Sequence, residues 1–267
     1  MKSKRNIVYL SHGGGPMPLL GDPDHDEMIK TLKEIAAEVG KPSTILVISA
    51  HWEARLPTVT SGISPGIIYD YVGFPKESYE IQYPASGEPE LAECVVNALK
   101  ERGIDAAKDD QQRFDHGLFV PLKIMYPEFD IPCVQLSLEY TLDPLLHIQI
   151  GNALKSLNWD NLLVLGSGSS FHNIRAFFTP DAQGALANNI AFDEWLRETI
   201  NDVSLSEQER LERLVNWTSA PGARYCHPRE EHLIPLHVCY GMATKSSSKT
   251  YRAEIMKKQF SMFYWGE

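Results

Sequence analysis

The chain reads as a single α/β domain over residues 1–267, with a mainly parallel central sheet, helices on both faces and a metal site at the C-terminal ends of the strands. Three observations carry this reading. Runs rich in Val, Ile and Leu, without polar alternation, recur at Ile7–Leu10, Ile45–Ile48, Ile131–Leu138 and Leu162–Leu165, as expected of strands covered on both faces. Segments of helical periodicity alternate with them, at Asp26–Val39, Pro89–Arg102, Pro144–Leu157 and Gln183–Ile200, the pattern of a layered parallel sheet. Histidines follow three of the strand runs, at the edge where open α/β sheets bind their ligands.

Taken in order, the first strand runs into Ser11-His12 and three glycines, and the second into Ser49-Ala-His51. Residues 57–84 are dense in Gly, Pro and Tyr and read as a long loop with short strands at most. The run Leu162–Leu165 leads into Gly166-Ser-Gly168 and, four residues on, His172. Residues 245–249, KSSSK, read as an exposed loop, and the aromatic, partly alternating Lys258–Trp265 as a late edge strand. There is no repeat and no linker.

Composition narrows the function classes. At 267 residues, 43% hydrophobic and 22% charged, the chain is an ordinary globular one, long enough to bury roughly three quarters of its unfolded surface. Its formal charge is −10, from 25 basic and 35 acidic residues, with no basic block. Phosphate-backbone binding rests on clustered Lys and Arg, so neither nucleic acid nor an anionic membrane is an expected partner. The four cysteines form no CxxC pair, which favours a reducing compartment, and Cys133 sits in an apolar run. No apolar stretch approaches the ~20 residues of a membrane span. A soluble cytoplasmic protein is expected.

The nine histidines carry the functional argument. A lone histidine is usually structural, and that reading is favoured for His25, in an acidic run, and for His147, in a helical segment. It also holds for His237, five residues past His232, because five helical residues turn through about 500°. For His12, His51 and His172 the repeated strand-then-histidine context points instead to a divalent metal, for which neutral imidazole is a common ligand. His116, in Phe-Asp-His-Gly, and His232, in Arg-Glu-Glu-His, could join from a loop or a helix start. Pro228 suits a first helical turn, with His227 near the cap and His232 in the first turns. Gly13–Gly15 and Gly166/Gly168 permit tight turns or close approach of backbone to a ligand.

Other chemistries lack their motifs. There is no Walker A sequence and no G-x-G-x-x-G, since Phe171 stands where the third glycine would pack. His227-Pro-Arg-Glu-Glu-His232 fits neither H-E-x-x-H nor H-x-x-E-H.

Five motifs, in order, resemble the class III extradiol ring-cleavage dioxygenases, most closely the DOPA 4,5-dioxygenase-like branch: Ser11-His-Gly-Gly-Gly-Pro-Met-Pro, Ser49-Ala-His-Trp-Glu, Phe114-Asp-His-Gly, Gly168-Ser-Ser-Phe-His-Asn and His227-Pro-Arg-Glu-Glu-His-Leu-Ile-Pro-Leu. The resemblance implies His12, His51 and His232 as metal ligands and His172 as acid/base, or in zinc-containing relatives a fourth ligand. It implies His116 as a second active-site histidine, and it places His227, Arg224 and Trp52 in the substrate pocket wall. Glu230 and Glu231 adjoin the third ligand, and either is a candidate contact. The implied cofactor is Fe(II), with Zn(II) as the other metal such a site takes. The implied substrates are a catechol-type small molecule and O2, read by loops around Tyr69–Tyr83 and Phe171–Phe178, and a homo-oligomer stays open. Two rivals stand beside this reading: a zinc-dependent hydrolase using the same pocket, and a non-enzymatic metal- or ligand-binding protein on this fold.

Overall fold

The computed structural model describes residues 5–179 and 185–266. Eight strands form one mixed sheet in the order β4-β3-β5-β2-β6-β1-β8-β7. They are β1 (Arg5–Ser11), β2 (Thr44–Ala54), β3 (Thr58–Thr60), β4 (Ala107–Asp109), β5 (Cys133–Glu139), β6 (Leu162–Gly168), β7 (Lys249–Ile255) and β8 (Lys258–Gly266). The central four, β5-β2-β6-β1, are parallel, and they are the four runs of Val, Ile and Leu seen in the sequence. β3 joins β5 antiparallel, and β8 joins β1 antiparallel.

Lys258–Trp265 is a strand but not an edge. The hairpin partner β7 lies outside it and is the true edge. β7 reads Lys-Thr-Tyr-Arg-Ala-Glu-Ile, with Tyr251, Ala253 and Ile255 buried and the residues between them exposed. That half-polar alternation suits a strand at the margin of a sheet, whereas β8 is covered along almost its whole length.

The helices are α1 (Asp26–Val39), α2 (Pro89–Lys100), α3 (His116–Met125), α4 (Pro144–Leu154), α5 (Ile174–Phe178), α6 (Ala185–Asn201), α7 (Glu207–Val215), α8 (Ala223–Cys226) and α9 (Ile234–Ala243). α1 has the expected bounds and buries Met28, Leu32, Ile35 and Val39 along one stripe. The start expected for α6 at Gln183 lies outside the described residues. α3 and α9 are buried on nearly every side, so they show little of the periodicity that marks a surface helix.

Both faces of the sheet are covered, as β6 shows residue by residue. Side chains alternate along a strand: the Ser167 hydroxyl donates to the Gly117 carbonyl of α3, while Gly166 and Gly168 face the chain entering α9. A Cβ on Gly166 would lie 2.8 Å from the Pro235 carbonyl oxygen, and one on Gly168 would lie 2.1 Å from that of His232. The two glycines therefore admit the protein's own backbone, neither a turn nor a ligand. Gly13 and Gly15 do turn the chain, at φ +82° and +56°.

Gly168→Ala is accordingly expected to destabilise the fold by about 1–3 kcal/mol or more, because the obstacle is rigid backbone. It should also displace His232. Thermal unfolding together with metal content of the variant checks both effects.

Candidate metal centre and catalytic site

Strand register gathers the histidines. Ser11 of β1 pairs with Gly168 of β6, and Ser49 of β2 pairs with Ser167, so three parallel strands end side by side. His12 follows Ser11 directly. His51 lies in an irregular stretch of β2: Ile48 pairs with Leu136 but Glu53 with Leu138, and the surplus residues bulge outward. Bulges commonly re-aim side chains beside active sites. His172 follows β6, and its backbone N–H donates to the Cys226 carbonyl at 2.9 Å. His116 opens α3, whose N-cap Asp115 accepts from the Leu118 N–H.

His232 does not sit on a helix. Residues 228–233 form bends and turns, and α9 begins at Ile234, with Pro235 in the N-terminal position expected for Pro228. The His232 carbonyl accepts from the Tyr9 hydroxyl and the Ser169 N–H, both at 2.9 Å, which ties this turn to the strand ends.

Five imidazoles form one cluster. Ring centroids of His12, His51 and His232 are 4.8, 4.9 and 5.1 Å apart, close to an equilateral triangle. His116 approaches His51 at 3.8 Å, and His172 lies parallel to His232 at 3.3 Å with 14° between planes. Ligand atoms of His12, His51 and His116 all fall within 4.8 Å of one another, as do those of His172, Glu231 and His232.

Hydrogen bonds orient the rings. The Ser167 hydroxyl gives its proton to Gly117, so its oxygen accepts from His12 Nδ1 at 3.0 Å. Glu231 Oε1 accepts from Nδ1 of both His232, at 3.0 Å, and His172, at 3.2 Å. Asp70 Oδ1 accepts from His116 Nδ1 at 2.9 Å and from its backbone N–H at 3.0 Å, and Oδ2 lies 3.7 Å from His51 Nδ1. Protons on Nδ1 leave Nε2 with its lone pair. The Nε2 atoms of His12 and His51 face each other at 3.0 Å, an arrangement of two lone pairs that a shared cation relieves. Two nitrogens each ~2.1 Å from an ion and at right angles would be about 3.0 Å apart. The donor set fits a divalent transition metal.

Electrostatics point the same way. Burial, reinforced by the neighbouring imidazoles, pushes His12, His51 and His232 well below the ordinary histidine value, keeping them neutral as ligation requires. Burial pushes the Asp115 carboxyl up to about 6, with Asp70 adding to the shift. Burial alone would raise Asp70 and Glu231, but the hydrogen bonds and charge of His116 and His172 respectively outweigh it and hold both carboxyls below their usual range.

The remaining expectations divide. Glu231 supports the cluster through its histidine partners, while Glu230 turns away to pair with Arg224 at 2.6 Å. Arg224 lies over the Trp217 ring at 4.9 Å and does not line the cleft beside His172. Trp52 is half-buried and does not line it either. His227 is fully buried, packed edge-on against Phe192 and Trp217 and bonded through Nε2 to the Ser170 carbonyl. It lies behind the site rather than in a pocket wall. His25, His147 and His237 are structural as expected: His25, for example, bridges Asp22 and the Gly14 N–H. Asp70 and Ser167 were not foreseen. All four cysteines are free, with Cys133 in the core.

A layered α/β fold that gathers five imidazoles, among which His12, His51 and His116 could hold a metal ion, points to a class of metalloenzyme, and comparison with known proteins specifies it. Residues 6–265 match the family described as the catalytic LigB subunit of aromatic ring-opening dioxygenase. The chain is 37% identical over 279 residues to dioxygenase tasH of Hapsidospora irregularis, covering 97% of this chain and 85% of that protein. It is 38% identical to the 4,5-DOPA dioxygenase extradiol of Beta vulgaris (92% and 91% covered) and 31% identical to that of Escherichia coli K12 (86% and 82%). The crystal structure of an uncharacterised E. coli K12 protein, JW3007, superposes with a TM-score of 0.75 at 26% identity, covering 98% of this chain and 99% of that one.

The chain belongs to this family of aromatic ring-opening dioxygenases, in its DOPA-dioxygenase-like branch, and it is an extradiol ring-cleaving oxidoreductase. Neither the hydrolase nor the binding-protein reading is favoured. Its activity is metal-dependent and uses a small-molecule substrate with O2. Among the described residues no helix is long and apolar enough to cross a membrane.

Proposed function

We propose that the chain, acting as one catalytic domain over residues 1–267, opens a catechol ring beside its diol. In this reading Fe(II) is held by His12, His51 and His232 at the carboxyl ends of the parallel strands. The observation that carries it is the near-equilateral triangle of these three rings, with the Nε2 atoms of His12 and His51 facing each other at 3.0 Å and the Nδ1 atoms of His12 and His232 held by Ser167 and Glu231. Bound there, Fe(II) supplies open coordination positions for diol and O2 and the electron relay between them, which Zn(II), being redox-inert, does not.

The protein's own groups handle protons and position. His172, about a quarter exposed at the cleft, accepts the proton of a catechol hydroxyl at Nε2 and returns it later. The Glu231 carboxylate at its Nδ1 fixes the tautomer that leaves Nε2 with its lone pair. His116, pinned by Asp70, stands on the other side of His51 from His232, where it hydrogen-bonds the substrate. Arg224, Trp52 and His227 have no place in this scheme. Residues 172–176 and 179 line the cleft beside the histidines, which supports a substrate-reading role for the stretch around Phe171–Phe178.

The test is oxygen consumption after anaerobic Fe(II) reconstitution, across a panel of catechols, with the yellow ring-opened product followed by absorbance. Uptake matching product formation is expected. Saturable catechol binding without oxygen uptake would overturn the reading.

A further inference from the structure

A second cavity, of about 570 Å³, adjoins the histidine cleft: Ala176 and Thr179 line both, while Phe177 and Phe178 line the second alone. Lys258, the first residue of β8, also lines it. Side chains alternate along a strand, so Lys258 rises on the same face as Phe260, whose ring lies parallel to that of Phe177 at 6.5 Å. The lysine is 7% exposed, and its ammonium has neither hydrogen bond nor ion pair among the described residues. Asp193, a buried carboxylate on the α6 helix that packs against β8, is already committed to the Ser261 hydroxyl at 2.6 Å and to Arg197 Nε at 3.0 Å. Lysine is almost never buried without a partner, because taking a charge out of water uncompensated is costly.

The rest of the lining suits an apolar guest. Met256 and Lys257 form the two-residue turn between β7 and β8, both left-handed at φ +49° and +62°, where Asn-Gly is the usual choice. Met256 thereby joins Phe177 and Phe178 in the wall. Glu254 and Lys257 are exposed at the rim and offset each other, which leaves Lys258 as the uncompensated charge. The volume falls in the range of small-molecule sites, about 300–1,000 Å³. We propose that this cavity is a second binding site, separate from the ring-cleavage centre, for a small apolar carboxylic acid whose carboxylate pairs with Lys258 and whose body lies against Phe177, Phe178 and Met256. The guest needs no diol, because no histidine lines this cavity among the described residues. A charge-assisted hydrogen bond to the ammonium is about twice as strong as a neutral one, and this is what separates an acid from its amide here.

The probe is 3-phenylpropionate, with 3-phenylpropionamide as its neutral counterpart; neither carries a diol to bind at the histidines. Both are titrated calorimetrically into the purified full-length chain under anaerobic conditions, with 4-methylcatechol as competitor. Wild type is expected to bind the acid roughly tenfold more tightly than the amide. Lys258→Met, which keeps an apolar stem, should lose that preference by weakening the acid alone, and Lys258→Arg should keep most of it. Phe178→Ala removes an exposed ring that the core does not need; it should weaken acid and amide alike by roughly fivefold, and it supplies the test if Lys258→Met fails to fold. No acid preference in wild type, an undiminished one in Lys258→Met, no effect of Phe178→Ala, or displacement of the acid by 4-methylcatechol, which would place it among the histidines, would each overturn the proposal. An absence of oxygen uptake by the Fe(II)-loaded protein would count against the ring-cleavage reading and leave this site untouched.

Discussion

Replacing His12 by alanine is expected to strip the protein of metal and of oxygen uptake together. His12 is 1% exposed, its Nδ1 is fixed by Ser167, and its Nε2 faces that of His51 at 3.0 Å. Losing an outer partner such as Ser167 would cost a metal site roughly 10–100-fold, and removing the ligand itself should cost well beyond that. Stability gives a second readout. A metal at a hundred times its Kd stabilises the fold by about 2.7 kcal/mol, which for a chain of this size is about 5–10 °C in Tm. A chelator should therefore lower the Tm of wild type and leave that of His12→Ala unmoved. Equal chelator sensitivity in both, or unchanged metal content in the variant, would remove His12 from the ligand set.

The placement of His12 was open to sequence reasoning because it depends on chain topology alone. Parallel strands present their carboxyl ends on one edge, and a histidine just past two such ends needs no knowledge of side-chain packing to be paired with another. What orients those rings was not legible. Asp70 comes from the Gly-, Pro- and Tyr-rich loop, 19 residues from His51 and 46 from His116 by the numbering, and nothing local announces that it reaches both. Ser167 lies between two glycines whose spacing suggested a turn. They are strand residues left without side chains so that the His232 turn and α9 can approach. His227 shows the converse: its motif adjoins the histidine cluster, but an imidazole flanked by Phe192 and Trp217 belongs to the core. The helix expected at Pro228 does not form there: residues 228–233 are bends and turns, and α9 begins at Ile234 with Pro235 in its first turn. A proline in sequence states that a helix can start, not which of two will.

His172→Ala is expected to reduce turnover by roughly 10²–10⁴-fold while leaving metal content intact, the reverse of the pattern for His12. The distinction follows from ring geometry. His172 stacks on His232 at 3.3 Å and 14° but, unlike it, makes no ring contact with His12 or His51 among the described residues, so the proposed reading gives it the proton rather than a ligand position. Both rings use Nδ1 on the same Glu231 oxygen, and a carboxylate so shared would tie the proposed base to the proposed metal ligand. Metal stoichiometry and single-turnover rates, measured on one preparation of the variant, separate the roles. Should metal be lost in proportion to turnover, His172 is a ligand, and the proton must be carried by His116, whose Nδ1 is held by Asp70 as that of His172 is held by Glu231.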